Sequence, residues 1–437
     1  MPTRTPWPAL ATTLATTLTL LLAACGTEQP TEPGPLGAAR GGIPGGGAAP
    51  LTATPSSLAF VIPSTTTTGT VTASVQFTGT ITASTSDAAC ATVSPLSLPA
   101  TKPAGSSVYV ATFTVTAEGA GTCTITLTDK RGGAATVQVE VRELPPVDGS
   151  RLLYSYSPEV LNNNVYGSNP DGSDVITIAD GEHDELWAVF TPDRSKIVYV
   201  SQEAGSLNLF RANPDGSGKE QMTFYEIGDH VGAGTLTPAV SPDGQQIAFV
   251  LATGFSGDPT QIYVMDAVPG ATPVAVTAGN AFHIEPTYAP DGRIVFARAS
   301  LEAEELDDGV LNYSVWIMAG SGASPTRLTD PGLEIHRSPA VSPDGTTIAF
   351  GSRSQTGQPS VIELMDIDGQ NRRALTSVGS DGNPVFSPDG AWLAFGRILD
   401  PGTVGNGEIF MLKLGRPESE AVNITNSEVD ETLSDWR

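Results

Sequence analysis

The sequence predicts an all-β chain, a β-sandwich followed by a six-bladed β-propeller closed by its own C-terminal strand. Between Leu51 and Glu143, short runs such as "GTVTASVQF", "SSVYVATFTVTAE" and "AATVQVEVRE" alternate apolar and polar residues between Gly, Ser, Pro and Asp turns. That period of two marks half-buried strands of an antiparallel sandwich. Farther on, Pro-Asp returns at 192–193, 242–243, 290–291, 343–344 and 388–389, about 45 to 53 residues apart, the period of a four-stranded propeller blade. The composition agrees, with 47 Gly, 35 Pro, few aromatic residues and no long helical or charged block.

The chain opens "MPTRTPWPALATTLATTLTLLLAAC": one Arg, an apolar stretch short for a bilayer span, then small residues before a cysteine. Residues 1–24 therefore read as a signal peptide. Leu22-Ala23-Ala24-Cys25 resembles the bacterial lipobox, and the resemblance implies cleavage before Cys25 and acylation of that residue. The competing reading, a short buried helix with a chance cysteine, sits poorly with residues 25–50, whose dense Gly, Pro and Ala cannot pack and make a tether. Multiple acyl chains would anchor the protein to the membrane, each buried methylene adding about 0.8 kcal/mol. Gly26 stands where such lipoproteins carry an inner-membrane retention Asp, which points to the outer membrane of the cell envelope. With 22 basic against 47 acidic side chains, a formal charge of -25, the chain repels nucleic acid and anionic lipid, so neither is an expected partner.

Residues 51–144 form the expected sandwich. Its run "EGAGTCTITLTDKRGGAATVQVEVRE" resembles the closing strands of bacterial immunoglobulin-like domains. Cys90 and Cys123 are the cysteines left once Cys25 is acylated, and in an exported chain such a pair reads as a disulfide, two free buried thiols being the alternative. A bridge over that loop stabilises by about 3 to 4 kcal/mol in the chain-entropy model. The segment holds no histidine and no Cys-x-x-Cys, so it is expected to be a spacer.

After the linker "ELPPVDG", residues 150–437 repeat one order: a short strand, "SPDG", a strand such as "QQIAFV", a variable loop, a strand such as "QIYVMD", a turn such as "NPDG", then "QMT", "RLT" or "ALT". In "SPDG", Pro sets φ, Asp bonds nearby backbone and Gly supplies positive φ, so the unit is a turn and not a site. "DIDGQ" at 366–370 is similar to the start of a calcium loop, but Asn371, Arg372 and Arg373 follow it where further ligands belong. The repeats resemble the TolB-like propeller repeat over the whole of 150–437. "RLLYSYS" begins without a preceding "SPDG", and "DETLSDWR" ends the chain with Trp436 placed like Tyr288, Val341 and Phe386. The C-terminus should therefore complete the first blade, which makes six. TolB itself has an α/β domain before its propeller, absent here, so its peptidoglycan-associated partner does not carry over.

Tight turns occupy one face of such a propeller, and the variable loops occupy the other, where binding usually resides. All four histidines, His183, His230, His283 and His336, are expected in loops of that second face, just before an innermost strand. With Glu285, Glu334, Asp381 and Glu431 they are the binding-face candidates, joined by the acidic loop Glu302 to Asp308. Imidazoles beside carboxylates could hold a divalent cation. Hydrogen-bonded loop histidines are the competing reading, and no cofactor is expected.

No Gly-x-Ser-x-Gly elbow and no His-Glu-x-x-His occurs, so the hydrolase readings lack their motifs. A metal-dependent lyase of the oligogalacturonate type, which this protein resembles in carrying histidines on similar repeats, is the alternative, though its polyanionic substrate would be repelled. The expectation is a non-enzymatic lipoprotein whose propeller binds a protein or peptide in the cell envelope.

Overall fold

A computed structural model gives the fold and describes residues 50–62, 67–159, 162–226, 234–252, 258–301, 312–330, 334–354, 359–399, 407–425, 427 and 431–437. Cys25, His230 and the loop 302–308 lie outside the described residues.

The Thr-rich segment forms two sheets. One runs Thr52–Thr54, Thr68–Val75, Tyr109–Ala117, Ala91–Ser94 in spatial order; the other runs Ser57–Ile62, Ala134–Glu143, Gly121–Asp129, Thr80–Thr85, Ser97–Pro99. Alternation decides which residues meet. Val71, Ala73, Phe113 and Val115 from the first sheet share one buried core with Ile125, Leu127, Val137 and Val139 from the second. Threonines take the outward positions, where Thr72 and Thr112 hydroxyls pair across strands at 3.0 Å. Cys90, just before Ala91–Ser94, and Cys123, inside Gly121–Asp129, are joined by a disulfide that ties one sheet to the other.

The rest of the described chain builds six four-stranded antiparallel sheets, here blades 1 to 6. Blades 2 to 6 begin with the strands Glu185–Phe190, Gly234–Val240, Ala281–Tyr288, Glu334–Val341 and Ser380–Phe386. Blade 1 is assembled from both ends of the segment: Glu431–Trp436 comes first, then Leu152–Glu159, Asn162–Ser168 and Ile176–Ala179. Leu152 stands opposite Trp436, and Glu159 still pairs with Asn162. Consecutive first strands pack beside one another, and the blade 1 strand touches those of blades 2 and 6.

Two local hydrogen-bond sets recur and explain the repeat. In "SPDG", Ser241 Oγ donates to Asp243 Oδ1 (2.6 Å) and accepts from Gln246 N (2.9 Å), while Gln245 N donates to the same carboxylate oxygen (3.0 Å). Ser342 with Asp344, Ser387 with Asp389 and Thr191 with Asp193 repeat the pattern. Those bonds hold Asp243 and Asp344 below the usual carboxylate range and bring Asp193 to about 2. The threonine of "QMT", "RLT" and "ALT" does the second job: Thr223, Thr329 and Thr376 Oγ1 each accept the backbone N–H of a third strand at 2.9 Å, from Leu209, Val315 and Ile362. The second strands are buried on both faces, as Ile247, Ala248, Phe249 and Val250 show. In the "DIDG" turn, Asp368 accepts Gln370 N and Asp366 accepts Asn371 Nδ2, so its carboxylates serve its own loop.

Candidate functional site

Each first strand of blades 2 to 6 breaks register at one place, between Leu186/Val189, Leu236/Ala239, Ile284/Thr287, Arg337/Ala340 and Gly382/Val385. The residue after the break is left-handed: Trp187 (φ 52°), Thr237 (44°), Glu285 (54°), Ser338 (51°) and Asn383 (49°). None is glycine, and such a conformation costs on the order of 1–3 kcal/mol per residue. Four of the five precede a proline, at 238, 286, 339 and 384. The same five side chains, with Leu433 of blade 1, line a cavity of about 500 Å³.

That cavity is also walled by the turn prolines Pro192, Pro242, Pro290, Pro343 and Pro388, which puts it at the tight-turn end of the first strands. Its polar groups are few and placed. Ser338 N and Arg337 Nη2 each donate to Glu285 at 2.6 Å, and Ser338 Oγ donates to Asn383 Oδ1 at 2.9 Å. A hydrogen-bonded arc thus runs through blades 4, 5 and 6. Thr237 Oγ1 in blade 3 and Tyr288 Oη in blade 4 are buried with no protein partner among the described residues, and burial pushes the Tyr288 hydroxyl up to about 12. Apolar walls with a handful of convergent polar atoms suit the capture of a side chain or chain segment.

The histidines fall otherwise than expected. His183 is exposed ahead of the blade 2 first strand, but His283 and His336 are not in loops: they lie inside the strands Ala281–Tyr288 and Glu334–Val341 and are 4% and 0% exposed. The strands begin earlier than their apolar residues suggest, because the added register at the bulge turns these side chains into the packing between blades. His283 Nδ1 contacts Thr260 O at 3.0 Å, and His336 Nε2 contacts Glu334 Oε2 at 3.1 Å with its ring edge-on to Phe350. Burial lowers the pKa of both, helped at His336 by Arg372. Glu334 is held below the usual carboxylate range by a hydrogen bond from Arg372, which also engages Glu363. Glu285 pairs with Arg337, Asp381 is gripped by Arg397, and Glu431 is buried beside Ser427. Burial, with Glu408 adding to it, pushes Glu431 up to about 7. Among the described residues no three His, Cys, Asp or Glu side chains gather as a metal site.

What the sequence reading missed has a signal. Counting seven residues back from each turn proline gives Glu185, Thr235, His283, His336 and Asp381, one structural position in five blades. Glu185 is 2% exposed, accepts from Ser201 Oγ at 3.1 Å and is raised by burial. Trp187, Thr237 and Asn383, which line the cavity, sit at the corresponding place two residues later.

No helix among the described residues is long and apolar enough to cross a membrane. The chain is similar to a TolB homolog of Chlorobium chlorochromatii, 31% identical over 160 residues that make up 36% of this chain and 31% of the relative. It is also similar to a TolB homolog of Chlorobium luteolum, 25% identical over 223 residues, 50% of this chain and 45% of the relative. The chain thus spans less than half the length of these curated relatives. The solved TolB of Acinetobacter baumannii superposes with a TM-score of 0.49 at 19% identity, over 72% of this chain and 79% of that one. The family model of the TolB beta propeller domain matches residues 226–404 of this chain.

Proposed function

We propose that the protein is an envelope lipoprotein, anchored through Cys25, in which an immunoglobulin-like spacer (51–144) presents a six-bladed propeller (150–437) that binds a protein or peptide segment without catalysis. The observation that carries the reading is the cavity at the tight-turn end: five residues held in a strained backbone conformation, Trp187, Thr237, Glu285, Ser338 and Asn383, line one space. Strain repeated at one level of a scaffold points to a binding role for the residues that carry it. The walls supply apolar area, and the Glu285–Ser338–Asn383 arc with the unpartnered Thr237 and Tyr288 hydroxyls supplies orientation. The loop face remains the rival location, through His183 and the acidic loop 302–308.

The lyase alternative needs several metal ligands in one place, whereas His283 Nδ1 and His336 Nε2 are engaged by groups within the blades. Nothing in the described geometry favours it over binding.

A photo-crosslinking residue placed at Trp187 or Asn383, and separately at Glu302 or Glu305, tests the reading in whole cells. Adducts with an envelope protein from the first pair and not the second are expected. Adducts only from the loop positions would move the site to the other face. The anchor is checked alongside, since Cys25→Ala should abolish labelling by a fatty-acid probe; a variant still labelled has its lipid elsewhere.

A further inference from the structure

The linker between the two-sheet domain and the propeller does not swing clear of the cavity. Leu144 N still donates to Ile62 O at 2.6 Å, which carries the pairing of the sandwich up to the start of the linker. Pro145 and Pro146 follow, each with φ fixed. At the other end the chain is seated at once. Ser150 Oγ accepts from Trp436 Nε1 at 3.0 Å, and Arg151 and Arg437 exchange backbone hydrogen bonds. Trp436 and Arg437 both line the cavity. Between these anchors, hydrogen bonds from Ser150 hold Asp148 below the usual carboxylate range, and the charge of Arg194, another lining residue, adds to them. The linker therefore runs along the cavity rim at blades 1 and 2.

The sandwich itself meets blade 6. Lys413 Nζ donates to Glu143 Oε1 at 2.6 Å, and Arg416 Nη2 donates to Ala120 O at 3.2 Å. Lys413 ends the third strand of that blade opposite Trp392, and Arg416 shares a groove with Asp389 and Gly390 of the blade's "SPDG" turn. These are tight-turn positions. The contact on blade 6 and the anchors of the linker thus lie at the same end of the propeller as the cavity.

One half-exposed ion pair holds little on its own. Here it acts within one chain, beside a second contact and a short linker stiffened by two prolines, so the two surfaces meet at a high effective concentration. We infer that the sandwich is docked in one attitude on the tight-turn face at blade 6, and that it and the linker stand beside the cavity as a fence which admits a chain segment and turns away a broad protein face. The second clause rests on the cavity being the binding site; the first does not.

The full chain tests both. Ala120→Cys and Ser419→Cys, the latter an exposed position three residues beyond Arg416, are joined by a short bismaleimide and read as linked peptides by mass spectrometry. The control pair is Ala120→Cys with Gln245→Cys, exposed in the blade 3 turn. Docking predicts that the first pair links at least about tenfold faster than the second. Glu143→Lys should slow it about two- to fivefold, and Lys413→Glu added to that change should restore the rate. Equal rates for the two pairs would mean a free joint and overturn the docking, and a rate indifferent to Glu143→Lys would remove the assigned contact. For the fence, a photo-crosslinker at Val147, 54% exposed, should capture the same envelope protein as one at Trp187. Capture from Trp187 without any from Val147 would overturn the fence. No capture from Trp187 would fail the cavity reading and the fence with it, while the cysteine pairs would still decide the docking.

Discussion

Arg397 donates through Nε and Nη2 to both oxygens of Asp381 (2.7 and 2.8 Å) and through Nη2 to Glu418 (2.6 Å), while its guanidinium lies about 5 Å over the rings of Phe395 and Phe410. Burial pushes the Asp381 carboxyl up, against the pull of this arginine. Arg397→Met keeps much of the volume but strips Asp381 of its counter-charge at 1% exposure. A buried charge left unpaired typically costs about 3–5 kcal/mol. Urea unfolding at neutral pH should show a loss of that order. The sign with pH follows from the raised carboxyl: its folded pKa exceeds the unfolded one, so the penalty is full above the folded pKa and fades as pH falls towards the unfolded value. A variant equally destabilised at pH 4 and pH 7 would mean that lost packing, not charge, is responsible.

Among elements, the third strand depends on a threonine that the repeat pattern shows but does not explain. Thr376, 1% exposed, takes the backbone N–H of Ile362 at 2.9 Å. Thr376→Val keeps the shape and leaves that N–H unsatisfied, so the denaturation midpoint should fall by an amount corresponding to about 1–3 kcal/mol. The exposed Thr326→Val should change little; equal effects would remove the special role. The turns were legible in the sequence because their chemistry is confined to neighbouring residues, as in Ser241, Asp243 and Gly244. The first strands were not. Their bulges depend on contacts between blades, so His283 and His336 read as loop residues, and the shared level of Glu185, His283, His336 and Asp381 emerged only once register was known.

For the whole molecule, the pairing of the first and last strands in blade 1 was readable because "DETLSDWR" matches the missing strand of "RLLYSYS". Trp436 is 3% exposed, packs in a cluster with Trp392 and Leu433, and donates from Nε1 to Ser150 Oγ at 3.0 Å. Trp436→Ala should cost about 3–5 kcal/mol in a thermal or urea melt, a loss far beyond that of an ordinary chain end. An unchanged melting temperature would show that blade 1 is held without it. The same arrangement has a mechanical side. Leu152–Glu159 lies between Glu431–Trp436 and Asn162–Ser168, and Arg151 and Arg437 exchange backbone hydrogen bonds at 2.6 and 3.0 Å where the chain enters the blade. Tension arriving along the chain from residue 144 onward therefore pulls this strand lengthwise against two ladders at once. Hydrogen bonds loaded in shear must yield together, whereas those at a peeled edge yield singly, so the entry strand is the one best seated to bear a load.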